Sequence, residues 1–363
     1  MERVAGAVTG HCETVADRDP AEDLRRIAFC LERALEPSYR VRAFRTAAAI
    51  VDRTPAPELA DRARNDRLTE FSGIGKTTAL VIQESLAGAE PAYLRRVLTL
   101  GETPVSEGAA ALLARLRGDC HTHSDWSDGG SPIEEMAQAA AGLGHAYVVL
   151  TDHSPHLSVA NGLSPERLRR QLDVVAELNE RLHPFRILTG IECDILGDGT
   201  LDQEPALLGR LDLVVASVHS QLKMDREAMT ARMVAAVSNP HTDVLGHCTG
   251  RNVIGRGSKG KPRPESEFDA ELVFAACRRF DVAVEINCRP ERLDPPKRLL
   301  RLAVETGCLL SIDTDAHAPG QLAWQHLGCE RGHVCGVSPD RVVNTWTADD
   351  LLSWTRRAPA GRG

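Results

Sequence analysis

No run of apolar residues in this chain approaches the roughly 20 needed to cross a bilayer, which excludes a membrane-spanning helix. The segment Met1 to Pro20 has no apolar core behind a basic start, so no secretory leader is expected and the chain reads as soluble and cytoplasmic. Ten cysteines are present, but they are scattered through apolar stretches and form no dense short framework. They are expected to be reduced, small core residues rather than a disulfide scaffold. A collagen-like repeat, any other short-period repeat and low-complexity tracts are also missing. With 42% hydrophobic and 26% charged residues, a mainly disordered chain is excluded as well.

What is present is enough for two domains, or one barrel with a small module, since 363 residues can bury a sizeable core. The formal net charge is −8 and is unevenly spread: residues 20–117 carry 15 Lys+Arg against 13 Asp+Glu. The remainder is therefore strongly acidic. A basic module for polyanions beside a carboxylate-rich catalytic body would produce this asymmetry, as would ordinary variation between domains. The expected organisation is a tail over 1–20, a helical domain over 21–90, a connector over 91–116, a larger α/β domain over 117–355 and a tail over 356–363.

In the larger domain short apolar runs alternate with helical periodicity. Strands are expected at 117–122, 146–151, 186–192, 211–218, 243–246, 282–287 and 309–314, most of them followed by a helix. That alternation points to a parallel α/β barrel or an open α/β sheet. The polar residues favour the barrel, because they recur where each apolar run ends, the position that faces the active site in a parallel barrel. His121 and His123 close the first run, with Asp128 in the loop beyond; His153 closes the second. Glu192 lies on the third, His219 ends the fourth, His247 the fifth, and Asp315 and His317 follow the last. Residues i and i+2 on a strand share a face, so His121 and His123 can bind one ion together. Carboxylates packed this densely repel one another unless cations neutralise them. Imidazole with carboxylate suits zinc, manganese or iron rather than calcium, and nine donors exceed what one ion needs.

This set resembles the polymerase and histidinol phosphatase (PHP) superfamily, and the neighbouring segments Thr151-Asp-His-Ser-Pro155, Val159-Ala-Asn-Gly-Leu-Ser164, Val215-Ala-Ser-Val-His-Ser220 and Glu285-Ile-Asn287 with Leu293-Asp294 resemble the C-terminal PHP domain of bacterial family X DNA polymerases. The resemblance implies a distorted seven-stranded (β/α)7 barrel with two or three divalent ions (Zn, Mn or Fe). It implies one ion on His121, His123, Glu192 and Asp315, a second on the bridging Glu192 with His219 and His247, and a third on Asp128, His153 and His317. Metal-assisted phosphoester hydrolysis is the implied chemistry, with the same nine residues catalytic. Cys248 after His247, where the family usually has proline, and Cys288 and Arg289 after Asn287 depart from the family pattern without removing a donor. Lys223, Arg251, Arg256 and Arg292 are basic candidates for gripping the substrate phosphate.

In the helical domain, Gly73-Ile-Gly-Lys-Thr77 between two helical stretches looks like a helix-hairpin-helix, whose next helix can offer backbone amides to a DNA phosphate. Lys76 and Thr77 would add a charge and a hydroxyl. The upstream Tyr39-Arg-Val-Arg-Ala-Phe-Arg45, with Arg40, Arg42 and Arg45, resembles the DNA-end-binding domain of the same polymerases. DNA is thus the expected partner. No aspartate lies between Asp66 and Asp119, and the connector is too short for a palm domain, so no nucleotidyl transfer is expected. The favoured expectation is a phosphoesterase acting on DNA ends, as a 3′-5′ exonuclease or a 3′-phosphatase. A small-molecule phosphatase of the histidinol-phosphate type, a barrel amidohydrolase and a non-catalytic DNA-binding protein are the alternatives. His326, Cys329, His333 and Cys335 have irregular spacing for a structural zinc and are read as packing residues.

Overall fold

The computed structural model describes residues 18–254 and 261–356. Most of the two expected tails and Arg256 therefore lie outside the described residues. The chain divides into two units, Met1–Glu102 and Thr103–Gly363. Residues 91–116 are shared between them. Leu94 and Val97 bury in the helical core, whereas Ala109 and Leu112 bury in the core of the second unit.

The first unit contains α1 (Pro20–Arg33), α2 (Ser38–Arg53), α3 (Ala56–Arg64), α4 (Lys76–Leu86) and α5 (Ala92–Val97). Helix α1 starts inside the expected tail because Asp19 caps it, its carboxylate accepting from the Ala21 amide, and Pro20 suits the first helical position. Leu24, Ile27, Ala28 and Leu31 recur at helical spacing on one face and are fully buried in one cluster with Phe44, Ala47, Ala48 and Val51 of α2. Each such leucine contributes about 2 kcal/mol of burial.

The second unit runs α6 (Glu107–Leu113), β1 (Gly118–Thr122), α7 (Ile133–Gly142), β2 (Tyr147–Leu150), α8 (Pro165–Leu182), β3 (Arg186–Asp194), α9 (Pro205–Leu208), β4 (Leu213–Ser217), α10 (Arg226–Val237), β5 (Val244–Leu245), α11 (Ala270–Phe280), β6 (Ala283–Asn287), α12 (Lys297–Thr306), β7 (Leu310–Asp313), α13 (Gln325–Val334) and α14 (Ala348–Thr355). The strands form one seven-stranded sheet in sequential order, every pair parallel. A sequential all-parallel sheet places every strand C-terminus at the same end.

The sheet curls into a nearly closed (β/α)7 barrel. Between β1 and β7 only a bridge from Thr122 to Ala316 forms, and side chains fill the rest of the seam. The Asn344 amide accepts from the Ile312 amide at 2.7 Å and donates to Asp313 Oδ1 at 2.8 Å and the Gly118 carbonyl at 3.3 Å. Gln325 donates to the Gly118 and Ile312 carbonyls at 3.0 and 3.1 Å. Asp313 accepts the Cys120 amide at 2.9 Å, and Asp119 accepts the Thr314 amide at 3.2 Å. All these groups are buried, and apart from the Asn344–Asp313 bond between side chains, each bond satisfies backbone that the missing ladder leaves open.

The nine described cysteines are all buried and free. Among the described residues no helix is long and apolar enough to cross a membrane.

Candidate metal centre

Glu192, near the end of β3 and only 1% exposed, is the hub of the strand-end cluster. Five imidazoles from four other strand ends surround its carboxylate. His121 Nε2 lies 3.3 Å away, His123 Nε2 3.6 Å, His153 Nδ1 2.9 Å, His219 Nε2 3.2 Å and His247 Nε2 2.8 Å. Asp315 Oδ1 sits 3.4 Å from His123 Nε2. Asp128, the half-exposed member, lies 3.5 Å from His153 Nε2 and 3.2 Å from His317 Nε2. All nine candidate donors thus converge at one end of the barrel.

The loop carrying Asp128 is tied to Asp152, which accepts from the Ser124 amide and hydroxyl, the Ser127 hydroxyl and the Gln171 amide at 2.5 to 2.8 Å. Asp315 has φ +52°, a left-handed backbone uncommon outside glycine. Such strain is held by its surroundings. Here the Arg289 guanidinium donates to the Asp315 carbonyl at 2.9 Å.

Several polar atoms in the cluster are buried without a hydrogen bond. They include His121 Nε2, both ring nitrogens of His123 and of His219, His153 Nδ1 and Glu192 Oε2. Buried polar atoms are normally satisfied, and lone pairs aimed at one carboxylate repel it unless a proton or a cation lies between. Three groups bring ligand atoms within 4.8 Å of one another: His123, Asp128, His153 and His317; His121, His123 and Asp315; His153, Glu192 and His219. This donor set fits divalent ions of the zinc, manganese or iron kind. His123 and His153 each belong to two groups, and His247 reaches the cluster through Glu192.

Without a cation, protons take its place unevenly. Burial opposes charging His121, yet the Glu192 and Glu285 carboxylates outweigh it and hold its pKa well above the ordinary value. His219 likewise rises to about 9, Glu192 again overcoming burial. Burial and then the imidazoles of His317 and His153 hold His123 well below the ordinary value. Burial followed by Arg292 lowers His247 to about 4.

A cavity of about 740 Å³ opens over the cluster. Asp128, His153, His219, Asp315 and His317 line it together with the cations Lys261, Arg263, Arg289 and Arg292, while Leu157, Val159, Ala160, Val218 and Leu222 form an apolar wall. A larger depression of about 1100 Å³ contains none of the nine donors, and its charges pair with one another, as in Arg226 with Asp269 and Arg298 with Glu265.

Of the phosphate-gripping candidates, only Arg292 is placed here among the described residues, its Nε 3.2 Å from Asp315 Oδ2. Arg251 instead donates to the carbonyls of Arg292 and Leu293 and pairs with Glu265, so its fork holds a loop. Lys223 is exposed and does not line the cavity. Arg289, whose Nη1 lies 2.8 Å from His317 Nδ1, and Lys261 and Arg263 were not anticipated. Nor were two buried carboxylates beside the cluster. Asp194 Oδ1 lies 3.3 Å from His219 Nδ1, and Glu285 Oε1 lies 2.6 Å from His121 Nδ1. Both could have been found by the two-residue period: Asp194 shares a face with Glu192, as Glu285 does with Asn287.

In the helical unit Gly73 has φ +104°, and a Cβ there would come 2.8 Å from Thr46 and 2.9 Å from Ile50, so glycine is required. Gly75 has open space around it and serves as the N-cap of α4, its amide donating to Thr78 Oγ1 at 3.0 Å. Lys76, Thr77 and Arg42 are exposed. Arg45 and Arg40 depart from the expectation of DNA contacts. Arg45 is spent on Glu32 in a two-pronged pair at 2.8 and 3.0 Å, and Arg40 on Glu36 and the Tyr93 hydroxyl. Cys329 and Cys335 are buried, and His326 bonds the Ala323 carbonyl and Thr103.

Residues 119–266 match the PHP domain family model. The DNA polymerase/3′-5′ exonuclease PolX of Bacillus subtilis is 38% identical over 245 residues, 68% of this chain. This chain spans 42% of that protein's length. A probable phosphatase of Thermoanaerobacter is 26% identical over 238 residues, covering 62% of this chain and 89% of its own. Among solved structures, histidinol phosphate phosphatase from Lactococcus lactis, complexed with zinc, L-histidinol and phosphate, aligns over 61% of this chain and 94% of its own, at 18% identity and a TM-score of 0.42. Residues 119–266 of the barrel thus belong to the PHP domain family.

Proposed function

We propose that this phosphoesterase hydrolyses phosphate esters at DNA ends, as a 3′-5′ exonuclease or a 3′-phosphatase. The observation that carries the reading is the cavity mouth: four cations, Lys261, Arg263, Arg289 and Arg292, stand above a floor of imidazoles and carboxylates. Glu291 also lines the mouth and pairs with Arg289, yet the cations outnumber it, and such a positive mouth suits a ligand with more than one phosphate. The similarity to a 3′-5′ exonuclease supports the DNA reading. So does the Gly73–Thr77 turn, with Lys76 and Thr77 exposed at the start of α4.

The three donor groups around Glu192 would hold two or three divalent ions, which when bound supply Lewis acidity and lower the pKa of water toward ~7. Glu192 would bridge, because both of its oxygens face imidazoles. Asp128 is the most exposed donor and would complete the site nearest solvent. Arg292 would orient the phosphate, keeping one contact to Asp315 while facing the cavity, and Arg289, held by Asp315, His317 and Glu291, would add fixed positive charge beside it. The apolar wall of Leu157, Val159 and Leu222 would take a base or sugar face and exclude water from one side.

The test compares hydrolysis of a 3′-phosphorylated or recessed oligonucleotide with that of histidinol phosphate in added manganese, with His123→Ala protein as the contamination control. Faster turnover of the oligonucleotide is expected. A preference for histidinol phosphate would make the chain a metabolic phosphatase and remove the DNA role from the helical unit.

A further inference from the structure

The end of β6 places no donor in the cluster, yet it carries Glu285 and Asn287, both fully buried. We infer that Glu285, assisted by Asn287, is a positioning residue that braces donors from three other strand ends into one metal centre. The inference rests on reading the cluster as a metal centre.

Each Glu285 oxygen is engaged. Oε1 lies 2.6 Å from His121 Nδ1. A carboxylate there only accepts, so Nδ1 carries a hydrogen and Nε2 is the nitrogen turned toward Glu192, the one left to ligate a cation. That Nε2 is one of the buried atoms without a hydrogen bond, as a ligand nitrogen awaiting a cation would be. Oε2 accepts the backbone amide of His247. The preceding strand β5 is only two residues long, so little ladder holds the chain where His247 begins. Oε2 also accepts from Asn287 Nδ2 at 3.2 Å, and the same Nδ2 donates to Asp315 Oδ2 at 3.1 Å. With Arg292 on that oxygen too, Asp315 is left to present Oδ1 to His123.

The chemistry requires a carboxylate. Three donors converge on Glu285: an imidazole N–H, a backbone N–H and an amide NH2. In Glu285→Gln one oxygen becomes an NH2 group, which must then face a donor whichever way the amide is turned. The volume is unchanged, so the loss falls on donor orientation rather than on packing.

The experiment titrates metal-free full-length protein with Co²⁺, reading heat and the visible d–d bands. Wild type is expected to bind, His123→Ala to lose the bands, and Glu285→Gln to bind about 10- to 100-fold more weakly with a shifted spectrum. Hydrolysis of a small chromogenic phosphoester by Glu285→Gln should be low at limiting metal and recover at excess metal, with KM unchanged. Affinity within twofold of wild type with the same spectrum overturns the brace. Failure of wild type itself to bind more Co²⁺ than His123→Ala overturns instead the metal-centre reading. If Glu285→Gln does not fold, Asn287→Ser, which removes the link to Asp315, should bind about 3- to 10-fold more weakly. Wild-type affinity there also overturns the brace.

Discussion

The barrel and the helical unit treat their charged residues differently. In the barrel, nine side chains read from strand ends all reach one cluster around Glu192. In the helical unit, two of three arginines read as facing a partner are taken by neighbours: Arg45 by the largely buried Glu32, and Arg40 by Glu36 and Tyr93. A parallel barrel turns all its strand ends to one side, so chain position dictates where the side chain goes. A helix presents its residues all round, and what packs against each face decides whether a charge meets solvent or a carboxylate.

The largest effect expected from this contrast is chemical. His123→Ala or Asp315→Ala should lower phosphoester hydrolysis at least about 10³-fold while DNA affinity, read by fluorescence anisotropy, stays within about twofold. Equal losses of both would mean that the barrel alone binds DNA.

Next in size is the seam between β1 and β7. Asn344→Ala removes bonds to Ile312, Asp313 and Gly118; Asp313 keeps the Cys120 amide and the Gly118 carbonyl keeps Gln325, but the buried Ile312 amide loses its acceptor. A destabilisation of about 3 kcal/mol by urea denaturation is expected. A loss below about 1 kcal/mol would mean that the strands close the barrel without it.

In the helical unit, Arg45→Ala strands a largely buried carboxylate and should cost about 2 kcal/mol, with DNA affinity of the folded protein unchanged. Lys76→Ala should do the reverse. It should change stability by less than about 0.5 kcal/mol, weaken DNA binding about threefold to tenfold and lower the salt slope by about 1. Arg45→Ala weakening DNA binding as much as Lys76→Ala would erase the contrast.

The proton balance gives one more measurement. Glu192 lifts His219 to about 9, and Glu192 with Glu285 holds His121 well above the ordinary value, so both favour the protonated form near neutral pH. A ligand imidazole must be neutral, so metal uptake should release about one to two protons there, and affinity should rise with pH until these groups have lost their protons. Calorimetry in buffers of different ionisation enthalpy reads this release; none at pH 7.5 would mean that the imidazoles are already neutral.

The seven strands and the convergence of nine strand-end side chains were legible because alternating apolar runs and their polar ends lie along the chain itself. The glycine turn was legible in part: Gly73 is required by its positive φ, whereas Gly75 has room for a side chain. Arg289, Lys261 and Arg263 were not read as cavity residues, because their sequence neighbours do not show which loops meet. Arg251 looked equal to Arg292 in sequence, yet it turns to the carbonyls of Arg292 and Leu293.

Composition, periodicity and the spacing of polar residues thus sufficed for a parallel α/β barrel with one donor-rich end, since both helix and strand signals are local and strand ends converge by geometry. Only the tertiary structure decided that Glu285 and Asn287 brace three distant donors, that Asn344 and Gln325 fill the seam, and which arginines face the cavity. Those roles depend on partners 13 to 226 residues away in the chain, brought near by packing, and no local pattern records them.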